Sequence, residues 1–222
     1  MTPSTERART GRDTTRDMPD VRRGDAAGVF VSHWYVRDGA AGTAALQEVV
    51  ARWSRSPRPP GALSLSTFVS TDDTTVLTYT QCDGPDAYRR YLETLTGVGV
   101  AAVEYRVCRC VLLDTTSRVP GCVVVAMFDV DGPECQERII GSIAQAVEET
   151  PVERHPGLLS ANFHASEDGT RVLNYAEWTT EEAHLAFLAG ATHVTTRRVT
   201  DDTPGVRPVG FKRYRLHRSL GV

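Results

Sequence analysis

The sequence predicts an α+β fold built twice over: two tandem β-α-β-β-α-β units that close on each other as a barrel within one chain. Three observations predict it. The first is a repeat. PGLLSANFHASEDGTRVLNYAEWTTEEAHLAFL, from Pro156 to Leu188, matches PGALSLSTFVSTDDTTVLTYTQCDGPDAYRRYL, from Pro60 to Leu92, without a gap. Pro60/Pro156, Gly61/Gly157, Ser70/Ser166, Asp72/Asp168, Thr74/Thr170, Val76/Val172, Leu77/Leu173 and Tyr79/Tyr175 are identical. A repeat of this length is a small domain copied whole, not a solenoid unit. The second observation is the turn inside each copy, where Glu167-Asp168-Gly169-Thr170 separates two β-rich runs and signals a hairpin. The third is what flanks each copy: a strand and an amphipathic helix before it, a further strand after it. That order is the ferredoxin-like split βαβ arrangement.

Taken in order, residues 1–27 are rich in Thr, Arg and Asp with few large apolar side chains, so they are expected to be a disordered tail. The first unit spans 28–114. Val29–Arg37 is a strand by its β-branched and aromatic content. Ala44–Trp53 is a helix, because Leu46, Val49, Val50 and Trp53 fall on one face, and the prolines after it stop it. The hairpin strands lie near Leu63–Val69 and Thr75–Gln81, the second helix over Pro85–Leu95, and the last strand over Glu104–Leu113. Residues 115–121 form a linker, and the second unit spans 122–222. It repeats the pattern with a strand at Val123–Val130 and a helix at Glu134–Glu149, which aligns Ile139, Ile140, Ile143 and Val147. Arg171–Trp178 is its third strand. Thr179 or Thr180 caps the next helix, with Glu181 and Glu182 in the first turn. The polar stretch after Gly190 is longer than a normal connection, as in a lid or binding loop. Phe211–Leu220 is the last strand. Both helices of each unit pack on one sheet face, so the two bare faces are expected to cover each other, giving an intramolecular pseudo-dimer.

Composition narrows the function. A length of 222 residues, 41% hydrophobic and 24% charged, suits a globular protein of two small domains. A net charge of −3 gives no electrostatic case for nucleic acid, and no apolar run reaches the ~20 residues of a membrane span. The five cysteines are odd in number and follow no secretory signal, so free thiols and a cytoplasmic location are expected. Cys108 and Cys110 lack zinc-site spacing. Gly97-Val98-Gly99-Val100 is too short for a dinucleotide fingerprint, and no P-loop follows a strand.

The hairpin PGLLSANFHASEDGTRVLNYAEW resembles that of the antibiotic biosynthesis monooxygenases, dimeric α+β barrels, and is most similar to the small oxygenases of aromatic polyketides. The resemblance covers both halves. In that family an N-x-x-x-W pair on the third strand lines the pocket, and an aromatic residue six positions later closes it. Here these are Asn174, Trp178 and His184. The resemblance therefore implies these three as catalytic residues of an oxygenase that adds O2-derived oxygen to a polycyclic phenol, anthrone or angucycline, by quinone formation or ring cleavage. A flat indole with an N–H donor, an amide and a group titrating near neutrality suit that chemistry. Tyr88, Phe163, His164 and His193 are substrate-binding candidates. In the first half Thr78 and Cys82 replace the Asn and Trp, while Tyr88 holds the third position, so the second half reads as catalytic and the first as scaffold. Without the resemblance, a Trp ending a strand is ordinary packing and the Asn a surface amide. His155, in a loop, reads as structural or exposed.

The expected partners are a small polycyclic aromatic and O2, with neither nucleic acid nor membrane, in a monomer or homodimer. No metal site is evident. No cofactor motif is present either, although relatives that open a ring imply reduced flavin (FADH2 or FMNH2) from a partner reductase. A polyketide cyclase or aromatase on the same barrel, and a silent ligand-binding barrel, are the competing functions. A haem-handling barrel needs a His on the second helix and an Asn on the first strand, and neither Leu188 nor Val123–Val130 supplies them.

Overall fold

The computed structural model describes residues 18–55, 58–95, 101–116, 118–190 and 198–221. The tail 1–17, Gly97–Val100 and His193 lie outside them. The described elements are β1 Gly28–Tyr35, α1 Gly39–Trp53, β2 Ala62–Ser70, β3 Thr75–Cys82, α2 Pro85–Glu93, β4 Val103–Leu112, β5 Cys122–Val130, α3 Pro133–Glu149, β6 Leu158–Ser166, β7 Arg171–Trp178, α4 Glu181–Ala189 and β8 Val206–Gly221. Every predicted strand and helix is present, with ends shifted by a few residues.

Local chemistry accounts for these elements. Asp38 accepts the Ala41 N–H at 2.8 Å to start α1, and Thr180 accepts the Ala183 N–H at 3.1 Å to start α4. The repeated Ser, Asp and Thr build the same turn twice. Ser70 donates to Asp72 at 2.7 Å and accepts the Thr75 N–H at 2.9 Å. Ser166 donates to Asp168 at 2.6 Å and accepts the Arg171 N–H at 2.9 Å. The two turns differ only in how each takes its positive φ, with Asp73 at +55° and Gly169 at +76°.

The eight strands close a barrel in the order β1-β3-β2-β8-β5-β7-β6-β4, all antiparallel neighbours. Each unit keeps its own β4-β1-β3-β2 or β8-β5-β7-β6 order. The units join through β2–β8, where Leu65 faces Leu220, and β4–β6, where Val111 faces Ala161. Closure leaves no sheet edge open to aggregation. The interior is filled by alternate residues of both units, including Val29, Val31, Phe68, Leu77, Tyr79, Tyr105, Val123, Leu173, Tyr175 and Tyr214. The helices cover the outside.

Two expectations change. The predicted disordered tail is packed over its described part: Val21 is buried in the barrel core and Met18 packs beside it. The Asp20 carbonyl also accepts the Gln81 amide at 2.7 Å. An apolar core with an open end can hold a short segment whose own composition is polar. The last strand starts at Val206, not Phe211, because Pro208 and Gly210 sit beside a bulge opposite Met127 and Phe128, where a proline costs no ladder bond.

Candidate active site

A cavity of about 380 Å³ lies on the outer face of the second unit. Its floor is β5 and β7, with Val124, Ala126, Asn174, Ala176 and Trp178. α3 contributes Ile143, Ala146, Val147 and Thr150; α4 contributes His184, Phe187 and Leu188. The start of β8 adds Pro208, Gly210 and Phe211, and a helical turn over residues 198–201 adds Thr200 and Asp201. The space exists because small side chains, Ala126, Ala146, Ala161 and Ala176, lie where the layers meet. The volume falls near the lower end of the ~300–1,000 Å³ of small-molecule pockets.

Strand alternation sends Asn174 and Trp178 outward into this space and Leu173 and Tyr175 inward to the barrel. The indole of Trp178 is part of an aromatic wall. His184 meets it edge-on at 5.0 Å between ring centroids, Phe187 lies 5.3 Å from it, and Phe211 meets His184 at 5.4 Å. Thr180 starts α4 at the register that points His184 at Trp178. The first unit helps secure that helix: Thr71, in the β2–β3 turn, donates to Glu181 at 2.6 Å, and Arg213 of β8, in the same unit as α4, donates to it at 2.9 Å. These bonds, Thr71 first, hold the Glu181 carboxyl below its usual range. The first unit thus braces the element that carries His184.

The wall is apolar but carries polar atoms in need of partners. Trp178 Nε1, Asn174 Oδ1 and His155 Nδ1 are buried and have no hydrogen-bond partner among the described residues. Such atoms cost ~1–3 kcal/mol each when left unmet, which marks a site for a polar ligand.

The first unit has the corresponding space in collapsed form, about 40 Å³, lined by Phe30, Trp53, Leu65, Thr78, Tyr88 and Tyr91 among others. By register and repeat, Phe30 stands where Val124 does, Trp53 where Val147 does, Leu65 where Ala161 does and Tyr88 where His184 does. Larger side chains have filled it. What is left suits about one water.

Asn174, Trp178 and His184, the predicted catalytic residues, thus meet in one cavity. Of the predicted binding residues, Tyr88, Phe163 and His164 do not join them, and His193 lies outside the described residues. Tyr88 is in the first unit, stacked edge-on against Phe30 at 4.9 Å. Phe163 is fully buried in the layer under α3, against Ile139 and Val172, and does not line the cavity. His164 points into the barrel. Its Nδ1–H donates to the Asn162 carbonyl at 3.0 Å, and its Nε2 accepts from the Tyr79 hydroxyl at 2.9 Å. The sequence left its face open, and the β6 register settles it. Sequence reasoning also missed His155, which is 1% exposed and lines the cavity. A usable signal was present: its counterpart in the first copy is Pro59. The lining contains no arginine or lysine among the described residues.

Burial pulls the His164 imidazole down to about 4. The unfolded chain therefore takes up a proton that the folded chain refuses. The associated stability is complete above pH 6.5 and is lost as pH falls to about 4, on the order of 3 kcal/mol in all. Urea unfolding at about pH 7 and about pH 4.5 checks this: His164→Gln is expected to flatten the difference, and an unchanged slope in the variant contradicts it.

Comparisons with known proteins agree with this fold. Residues 121–199 match the family model for antibiotic biosynthesis monooxygenases. The chain is similar to the tetracenomycin-F1 monooxygenase of Streptomyces glaucescens, 40% identical over 66 residues, which is 30% of this chain and 57% of that protein. Its fold is similar to that of an anthrone oxidase-like protein, with TM-score 0.67 and 16% identity over 87% of this chain and 93% of the other. A ferredoxin-fold protein of Listeria monocytogenes related to antibiotic biosynthesis monooxygenases gives 0.50 and 14% over 85% and 93%. No helix among the described residues is long and apolar enough to cross a membrane.

Proposed function

Because the second half of the chain belongs to the antibiotic biosynthesis monooxygenase family, we propose that this protein is a monooxygenase of aromatic polyketide maturation. It inserts one atom of O2 into a hydroxylated polycyclic aromatic held against Trp178. The observation that carries this reading is the single open cavity of the pair, with an aromatic wall and three unmet polar atoms. The similarity to the tetracenomycin-F1 monooxygenase supports it.

The chemistry balances without an added reductant. A histidine of the lining, His155 or His184, takes a proton from the substrate. The resulting electron-rich anion gives electrons to O2 and bonds to it, forming a hydroperoxide at a ring carbon. Loss of water from that hydroperoxide leaves a carbonyl. One CH2 and one O2 thus become one C=O and one H2O. The Trp178 N–H and the Asn174 amide stabilise negative charge on oxygen, in a cavity whose apolar walls strengthen both interactions. The free thiols of the described chain fit a cytoplasmic setting.

The test is oxygen uptake with 1,8-dihydroxyanthrone in an electrode cell, corrected for autoxidation in buffer. The expected result is one O2 consumed per substrate, with the anthraquinone as product and no reductant added. No uptake above buffer, with ring closure of a linear polyketide instead, overturns this reading in favour of a cyclase.

A further inference from the structure

The lining holds two histidines, and they are placed differently. His184 is one ring of the aromatic wall, between Trp178 and Phe211. His155 caps the C-terminal end of the 3₁₀ turn Val152–Arg154 that follows α3, and is 1% exposed. Its Nε2 lies 3.1 Å from the Thr150 carbonyl. A carbonyl only accepts, so Nε2 carries the proton and donates it. That fixes the tautomer and leaves Nδ1 with a lone pair. Nδ1 is buried, and no described residue bonds to it.

We propose that His155 is the proton acceptor of the cavity, a catalytic residue whose Nδ1 takes the hydroxyl proton of a phenolic polycyclic ligand. The phenol O–H bond breaks, the Nδ1–H bond forms, and the electron pair stays on oxygen as a phenolate. The histidine, now a cation still donating to Thr150, returns the proton to the water that leaves. The proposal rests on the reading of the cavity as an aromatic site. It accounts for three features together: the anchored tautomer, the unmet acceptor on a residue that lines the same cavity as Trp178, and Pro59 at the matching position of the filled first copy. The other titratable groups of the lining are His184 on α4 and Asp201 on the turn over residues 198–201. Glu153 and Arg154 precede His155 in the chain.

The probe is 1,8-dihydroxyanthraquinone, whose visible absorption reddens on ionisation. Bound to the full chain, it is expected to ionise at a pH at least ~1 unit lower than when free. His155→Gln keeps an N–H for the Thr150 carbonyl. It is expected to bind the probe within ~3-fold of the parent and to abolish the shift. In the unaltered protein, ¹⁵N imidazole spectra are expected to show an Nε2–H histidine that gains a second proton when the probe binds. A shift that persists in His155→Gln overturns the proposal, as does one abolished by His184→Gln instead, or no change in any imidazole. Failure of the probe to bind overturns this proposal and the aromatic-site reading together. Ionisation as expected without oxygen uptake removes only the oxygenase reading and leaves His155 in its role.

Discussion

Asn174→Leu is expected to lower oxygen turnover by ~10²-fold or more and to leave the unliganded protein as stable as the parent or more so. Asn174 Oδ1 is a buried acceptor without a partner, so removing the amide relieves a desolvation cost of about 1 kcal/mol or more and places an apolar side chain against an apolar wall. The same amide is the group that would meet charge on a substrate or peroxide oxygen. Stability and activity should therefore move in opposite directions, which is the signature of a residue kept for function. Trp178→Phe makes the companion measurement. It retains a ring against His184 and Phe187 and removes only the N–H donor, so turnover should fall ~10-fold or more while the melting temperature stays within a few degrees. Turnover left intact in both variants would remove the site from this cavity.

Gly157→Ala is expected to destabilise the protein by about 3 kcal/mol and to abolish turnover, even though Gly157 is not itself one of the lining residues. Its φ is +89°, a region that costs a residue with a Cβ ~1–3 kcal/mol. An added methyl would also stand 2.6 Å from Thr179 Oγ1 and 2.7 Å from Ala183 Cβ. Those atoms belong to the start of α4, which the Gly157 carbonyl also holds by accepting the Thr179 N–H at 2.8 Å. Pushing α4 away moves His184 off Trp178. Chemical denaturation reads the first effect and the oxygen electrode the second. A variant with full activity would mean that the α4 position does not matter to the chemistry.

Gly157 also shows how much of the molecule is legible in its residues. Pro-Gly occurs at the same place in both copies, and in both the glycine has positive φ, +73° at Gly61 and +89° at Gly157. The Ser-x-Asp-x-Thr turns behave alike for the same reason: their hydrogen bonds span two to five residues. The face of a strand is harder. Asn174 and Trp178 were placed together by spacing alone, yet whether His164 faced inward depended on a β6 register that shifts at Val107–Arg109 of the neighbouring strand. The filled first pocket was written in the two copies as Phe30, Trp53 and Leu65 against Val124, Val147 and Ala161. Reading it required knowing that these three positions meet.

The sequence by itself determined the duplication, the order of strands and helices, and the turn and cap chemistry, while the grouping of Asn174, Trp178 and His184 came from the family resemblance. Each of the first three rests on interactions between residues close in the chain, or on a repeat visible by comparison. Only the tertiary structure decided that the open cavity belongs to the second unit, that Tyr88, Phe163 and His164 lie outside it, that His155 lies within it, and that residues near Val21 fill the barrel end. Those outcomes follow from volumes summed over side chains far apart in the chain, and from strand registers set by neighbours in the other unit, which no local pattern encodes.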